Sequence, residues 1–184
     1  MTMLQGMSKG NPSFNERRVP LAYFISFRSY ATWLHGDSRG SVDRWHNTYG
    51  TPFLPSDEKL EAEKRRLLKY TPATLDAERR RAVEQAVRET CQIRHWLLRA
   101  INVRTKQVHA VVTAGCKPEW VMNAFKANAT RQMVAEGIWR KGRRPWARHG
   151  STRWLWTEGS IGRACDYVLN GQGEALPDFE ESED

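Results

Sequence analysis

The clearest pattern in the chain is an alternation. From Gln107 onward, Val108, Ala110, Val112 and Ala114 fall on one side, and Gln107, His109, Val111 and Thr113 on the other. This predicts an interior strand, entered by a short turn from a preceding strand over residues 95–103. An apolar, β-prone run at 20–28 predicts a buried strand, and 153–157 a short one. Helical spacing governs three other stretches. In 75–94, Ala82/Val83, Ala86/Val87 and Cys91 recur every three or four residues. A second helix starts at Pro118, where a missing N–H is tolerated, and runs to about 136, with Val121, Ala124, Phe125, Ala129 and Met133 inward. A third, 161–170, takes Ser160 as its cap and stops at Gly171. Its apolar stripe is Ile161, Ala164, Cys165, Val168 and Leu169.

The remaining segments carry no comparable period. Residues 1–19 are polar and read as a flexible arm. Residues 29–74 are a long insertion: turn chemistry around Gly36, Asp37 and Gly40, three prolines, and a charged piece at 56–69 that suits a short helix. Residues 138–152 look irregular and basic, and 174–184 form an acidic tail. The order is strand, insertion, helix, strand, strand, helix, strand, helix. That is the α+β, ferredoxin-like βαββαβ arrangement of an antiparallel sheet, spanning 20–173, with an extra C-terminal helix. Such a sheet carries its two crossover helices on one face. Gln107 and His109 then point to the other.

Charge narrows the partner class. The chain carries +8, but the last eleven residues hold six acids and no base. Residues 1–173 therefore set 29 bases against 15 acids, or +14. A domain this basic meets a polyanion, and nucleic acid is the usual one. The basic run at 139–156 has six bases, no acid and four of the eight tryptophans, a composition that suits unpaired bases stacking on indoles beside guanidinium-bound phosphates. Its cations are Arg140, Lys141, Arg143, Arg144, Arg148 and Arg153, with Trp146 among them. Lys117, Lys126 and Arg131 extend the surface. Cys91, Cys116 and Cys165 lack metal-knuckle or disulfide-framework spacing, residues 1–20 lack an apolar leader core, and no run suits a membrane helix. A reduced cytoplasmic, nucleoid-associated location is expected.

Two side chains invite chemistry. Tyr167 lies about 130° from the centre of the last helix's apolar stripe, at about 100° per residue, so its hydroxyl is available to a groove beside the sheet. A phenol is a competent nucleophile toward phosphorus, and a divalent metal polarises the scissile phosphate. Imidazole and amide oxygens, here His109 and Gln107, are ligand types for Mn²⁺ or Mg²⁺. A surface tyrosine and a structural histidine fit the same pattern. His35 and His46, with Asp37 and Asp43, match no ligand template and read as loop residues. His95 opens a strand.

These residues resemble the single-tyrosine HUH transposases, the group of IS200-type and REP-associated tyrosine transposases. The stretch Ala100-Ile-Asn-Val-Arg-Thr-Lys-Gln-Val-His109 stands where that family has Pro-Asn-His-hydrophobe-His after a strand. The helix beginning Pro118-Glu-Trp-Val-Met-Asn-Ala-Phe-Lys126, then Leu155-Trp156, then Asp166-Tyr-Val-Leu-Asn170, follow in the family's order. The stretch from Thr32 to Arg44 is similar to one branch of it. The resemblance covers about 20–173. It implies a ferredoxin-like domain, working as a homodimer or a monomer, that recognises imperfect hairpins in single-stranded DNA. It implies that Tyr167 is the nucleophile, leaving a 5′-phosphotyrosine and a free 3′-OH. The histidine pair would hold the metal, joined by a glutamine of the tyrosine helix, here Gln172, five positions after Tyr167 rather than four.

The chain departs from that pattern where the metal binds. Gln107 replaces the first histidine and Lys106 the preceding asparagine. An amide oxygen suits a hard ion such as Mg²⁺ better than a transition metal. Lys106 places a positive charge beside the site, where it disfavours a cation and suits a phosphate. Any divalent metal is expected to be weakly held or lost. Two functions follow: nicking and strand transfer as in DNA transposition, or a domesticated protein that binds hairpin nucleic acid without cleaving it. A third, RNA binding on the open sheet, lacks an aromatic pair on the central strand.

Overall fold

The computed structural model describes residues 19–38, 40 and 55–173. Its elements, in chain order, are β1 (Ala22–Ser29), α1 (Glu58–Arg66), α2 (Ala77–Ile93), β2 (Leu97–Val103), β3 (Gln107–Thr113), α3 (Pro118–Ala135), β4 (Trp146–Leu155) and α4 (Glu158–Asn170). The strands form one antiparallel sheet in the order β2-β3-β1-β4. β3 is interior, as its alternation predicts. β1 and β2 run parallel across α2, and β3 and β4 across α3, so the sheet is ferredoxin-like.

The pleat divides the side chains into two cores. On one face Tyr23, Ile25 and Phe27 of β1, with Val108, Ala110 and Val112 of β3, pack under α2 and α3. Ala82, Val83, Ala86, Val87 and Cys91 of α2 and Val121, Phe125, Ala129 and Met133 of α3 complete that layer, while Ala124 is only half-buried. On the other face α4 presses Ile161 and Val168 onto Ala22, Ala100, Val111 and Leu155. Each buried Val, Leu or Ile contributes about 1.5–3 kcal/mol of hydrophobic stabilisation.

The insertion is tied down at both ends of its described part. Asp57 caps α1 by accepting from the Leu60 N–H, and its own N–H donates to the Gly36 carbonyl. Gly36 sits at φ +92°, and a Cβ there would lie 2.3 Å from the Asp57 oxygen, so only glycine fits. The chain returns through Ala73 and Leu75, both buried, whose N–H groups donate to Tyr30 and Thr105. The arm before residue 19, most of the 39–54 stretch with Asp43 and His46, and the acidic tail lie outside the described residues.

Four sequence expectations need correction. β4 spans ten residues rather than the short 153–157, and takes in part of what looked irregular. Its Trp146 is buried, edge-on to Phe27 at 5.0 Å, and donates from Nε1 to the Lys126 carbonyl. α4 begins earlier than 161: Thr157 is its cap, and Ser160, expected in that role, closes a reciprocal capping box from the third position. Leu169, placed in the apolar stripe, is exposed, and His95, expected to open a strand, sits in the preceding turn at φ +54°.

Candidate active site

Register across the sheet assembles a polar strip that no single strand discloses. In one row stand Asn102 of β2, His109 of β3, Ser26 of β1 and Ser151 of β4. In the next, Gln107 faces Arg28 across the β3–β1 ladder. Paired residues of antiparallel strands share a face, so all six belong to the side that carries α4. α4 covers the apolar rows around Val111 and reaches into the polar rows beside them: Asn102 Nδ2 donates to the Val168 carbonyl at 2.9 Å, and His109 is buried.

Tyr167 stands at that boundary. It is half-exposed, its ring edge-on to His109 at 6.0 Å and to Phe24 at 5.9 Å. Phe24 in turn stacks on the His109 imidazole, 5.7 Å between centroids and 11° from parallel. Gly171 makes room for the phenol: a Cβ there would lie 2.8 Å from Tyr167 Cδ2. Gln172 follows, donating from Nε2 to the Tyr167 carbonyl at 3.2 Å and accepting from Gln107 Nε2 at 3.4 Å. The fold therefore brings Tyr167, His109, Gln107 and Gln172 together.

His109 is 6% exposed, and among the described residues neither ring nitrogen has a hydrogen-bond partner. Burial pushes its pKa down to about 4, and the positive charge of Arg28 adds to the effect. The imidazole is neutral at pH 7. Arg28 lies with its guanidinium carbon 3.5 Å from the centre of the Trp33 ring, which fixes its plane.

This donor set does not fit a divalent cation. One imidazole and two amides converge, the amides already bonded to each other, with an arginine charge alongside. Among the described residues no group of three His, Cys, Asp or Glu side chains stands together. Mg²⁺ and Mn²⁺ sites are built on carboxylate and other oxygens.

No family model matches the chain, and no curated protein does. Among solved structures it is similar to a REP-associated tyrosine transposase bound to a REP hairpin, at 10% identity and a TM-score of 0.43, over 88% of this chain and 70% of that one. It is also similar to a transposase candidate from Deinococcus radiodurans R1, at 13% identity and a TM-score of 0.43, over 91% of this chain and 97% of that one. The ferredoxin-like architecture rests on the strand order and layering of the chain itself.

The residues expected to bind nucleic acid divide. Lys106, Arg131, Arg140, Lys141, Arg144, Arg148 and Arg153 are exposed. Lys126 and Trp146 are not, which corrects their assignment to a DNA surface. Lys126 is buried, its Nζ donating to the carbonyls of Ala147 and His149 and so clasping α3 to β4. Arg143 is partly committed as well, donating to the Thr71 carbonyl and hydroxyl. Trp154 and Trp156 are exposed at the end of β4, 5.5 Å apart. Sequence reasoning missed Arg28 and Ser26. Their signal was a polar pair two apart on β1, masked by Phe24 and Phe27, which made the strand look apolar on both faces.

Among the described residues no helix is long and apolar enough to cross a membrane.

Proposed function

We propose that the chain binds single-stranded DNA folded as a hairpin and that Tyr167 nicks and transfers the strand through a covalent phosphotyrosine. The observation that carries this is the half-exposed phenol standing over a buried, unpartnered imidazole at the edge of a polar strip. In the step itself the phenol oxygen bonds to a backbone phosphorus and the bond to the 3′ oxygen breaks. The 3′ oxygen takes up the proton the phenol gives, and the 5′ phosphate stays esterified to Tyr167. Attack by an incoming 3′-OH reverses the step and joins a new strand. The exposed cations hold phosphates on either side, and Trp154 and Trp156 offer stacking faces to unpaired bases. Gln107 in place of a histidine, with the charge of Arg28, favours a second reading in which the same surface binds hairpins without cutting them.

A single-stranded hairpin oligonucleotide, incubated with the protein and run on a denaturing gel, separates the two. A covalent adduct that disappears in Tyr167→Phe supports nicking. Tight binding with no adduct under any ionic condition leaves the binding module. Equal affinity for hairpin and random duplex at physiological salt overturns both.

A further inference from the structure

We propose that a DNA strand bound at Tyr167 continues round the outer edge of β4 and stacks its unpaired bases on the indoles of Trp154 and Trp156. This deepens the function proposed above and rests on it for the identity of the ligand as single-stranded DNA.

The register of β4 on β1 carries the path. Phe24, whose ring meets Tyr167 edge-on at 5.9 Å, is paired with Arg153, and the preceding residue, Tyr23, with Trp154. Arg153 therefore shares the face of Tyr167, while Trp154 shares the opposite face with Tyr23 and the α2–α3 layer. Trp154 stands one strand spacing, about 4.8 Å, and one residue, about 3.3 Å, from the position of Phe24. β4 is an edge strand, with no strand on its outer side among the described residues. Gly150 and Ser151 are exposed along it, so little side chain separates the two faces there.

The end of that path suits bases rather than phosphates. Trp154 and Trp156 are 49% and 40% exposed, with ring centroids 5.5 Å apart and planes 55° apart. Tilted in this way, the indoles do not stack on each other. Tyr23, itself buried, meets Trp154 edge-on at 6.5 Å and supports it from the core. Single exposed apolar residues are ordinary, whereas adjoining indoles on a surface mark a place of contact. Glu119 of α3 accepts from Thr152 Oγ1 at 3.2 Å, which brings a carboxylate to this side of β4. A carboxylate repels phosphates, so the attraction left is stacking, which every base provides. The occupant is nucleic acid because residues 1–173 carry +14. Arg140, Lys141, Arg144 and Arg148, in β4 and the turn before it, are exposed.

The test compares three labelled DNA hairpins with one common stem: blunt, with an unpaired thymidine tail, and with the same tail made abasic. Tails are placed on either side of the stem in turn. Affinities for the full chain are read by fluorescence anisotropy. The wild type is expected to bind a thymidine tail about tenfold or more tighter than its abasic counterpart, the worth of one or two stacked bases. The double variant Trp154→Ala, Trp156→Ala should bring that ratio to about one and keep its affinity for the blunt hairpin, while tyrosine at both positions should retain part of the ratio. Unfolding midpoints check that the sheet is intact; if the double variant unfolds early, Trp156→Ala, outside the core, decides by whether it lowers the ratio. Equal affinity of the wild type for both tails overturns the proposal without any variant, and indoles that serve a protein contact give that same result. A ratio that survives in the folded variants overturns it as well. Failure of nicking looks different: the base-bearing tail is still preferred, but no adduct forms with Tyr167.

Discussion

The Tyr167 ring meets the His109 ring edge-on, with centroids 6.0 Å apart and planes 80° from parallel. The contact joins the last helix to the interior strand across 58 residues of sequence, the difference of the two positions. It uses the carbon framework of the rings and leaves the tyrosine half-exposed. Chemistry at the hydroxyl is therefore separable from packing of the ring.

Tyr167→Phe is expected to keep the ring contacts with Phe24 and His109 and to change unfolding free energy by less than about 0.5 kcal/mol, as surface substitutions do. Hairpin affinity should stay within a few-fold. Tyr167→Ala removes the ring, uncovers His109 and should lower stability measurably. Urea denaturation and a gel-shift titration of both variants check the separation; a Phe variant as unstable as the Ala variant would show that the hydroxyl itself supports the fold.

His109→Phe should stabilise the protein. The imidazole is buried with neither nitrogen bonded, and such groups cost about 1–3 kcal/mol in desolvation. A phenyl ring keeps the stack on Phe24 and carries no polar atom. The expected gain is about 1–2 kcal/mol in urea unfolding. A destabilised variant would indicate that the native imidazole is bonded in solution.

How much of this was legible beforehand differs by element. The alternation of β3 separated Gln107 and His109 from the face under α2 and α3, because an interior strand between two cores must separate its sides cleanly; that α4 would cover their face was not readable. The apolar stripes of α2 and α3, and Pro118 at the start of α3, were equally readable. β4 was not, since Gly150 and Ser151 interrupt it with weak strand formers. Gly150 is there for packing: a Cβ would lie 2.6 Å from the Ser26 carbonyl and 2.5 Å from Met122 Sδ. Misreading that strand made Trp146 and Lys126 look like surface. Arg28 was hidden for another reason. Its relation to Gln107 is a matter of register between strands about 80 residues apart in sequence, and pattern within one strand carries no such information.

Lys126 gives the stability a pH dependence of known sign. Burial lowers its pKa from 10.5 to about 8. Below pH 8 the folded and unfolded chains both hold the proton, and the cost of burying the charge is borne in full. Between pH 8 and 10.5 the unfolded chain binds more protons than the folded one, so this residue's contribution to stability rises with pH. The rise amounts to up to about 3 kcal/mol for a shift of this size. Subtracting the unfolding free energy of Lys126→Met from that of the wild type, pH by pH, isolates it. A difference that is flat from pH 8 to 10.5 would mean that water reaches the ammonium group.

Gln107→His would place a second imidazole two residues from His109, yet it is not expected to create a divalent-metal site by itself. Two histidines two apart on β3 would share the face that carries α4, but Arg28 remains opposite position 107 across the ladder. A unit charge about 4 Å from another costs about 4 kcal/mol at the effective dielectric of a protein surface, and twice that against a doubly charged ion. Removing the charge should matter as much as adding the ligand. The double variant Arg28→Gln, Gln107→His is therefore expected to bind Mn²⁺ well above either single variant, by calorimetry in the absence of DNA. Its hairpin adduct, if formed, should become sensitive to EDTA where the wild type's is not. Tight Mn²⁺ binding by Gln107→His alone would show that Arg28 points its charge elsewhere, and the balance of the strip would then be set by position 107.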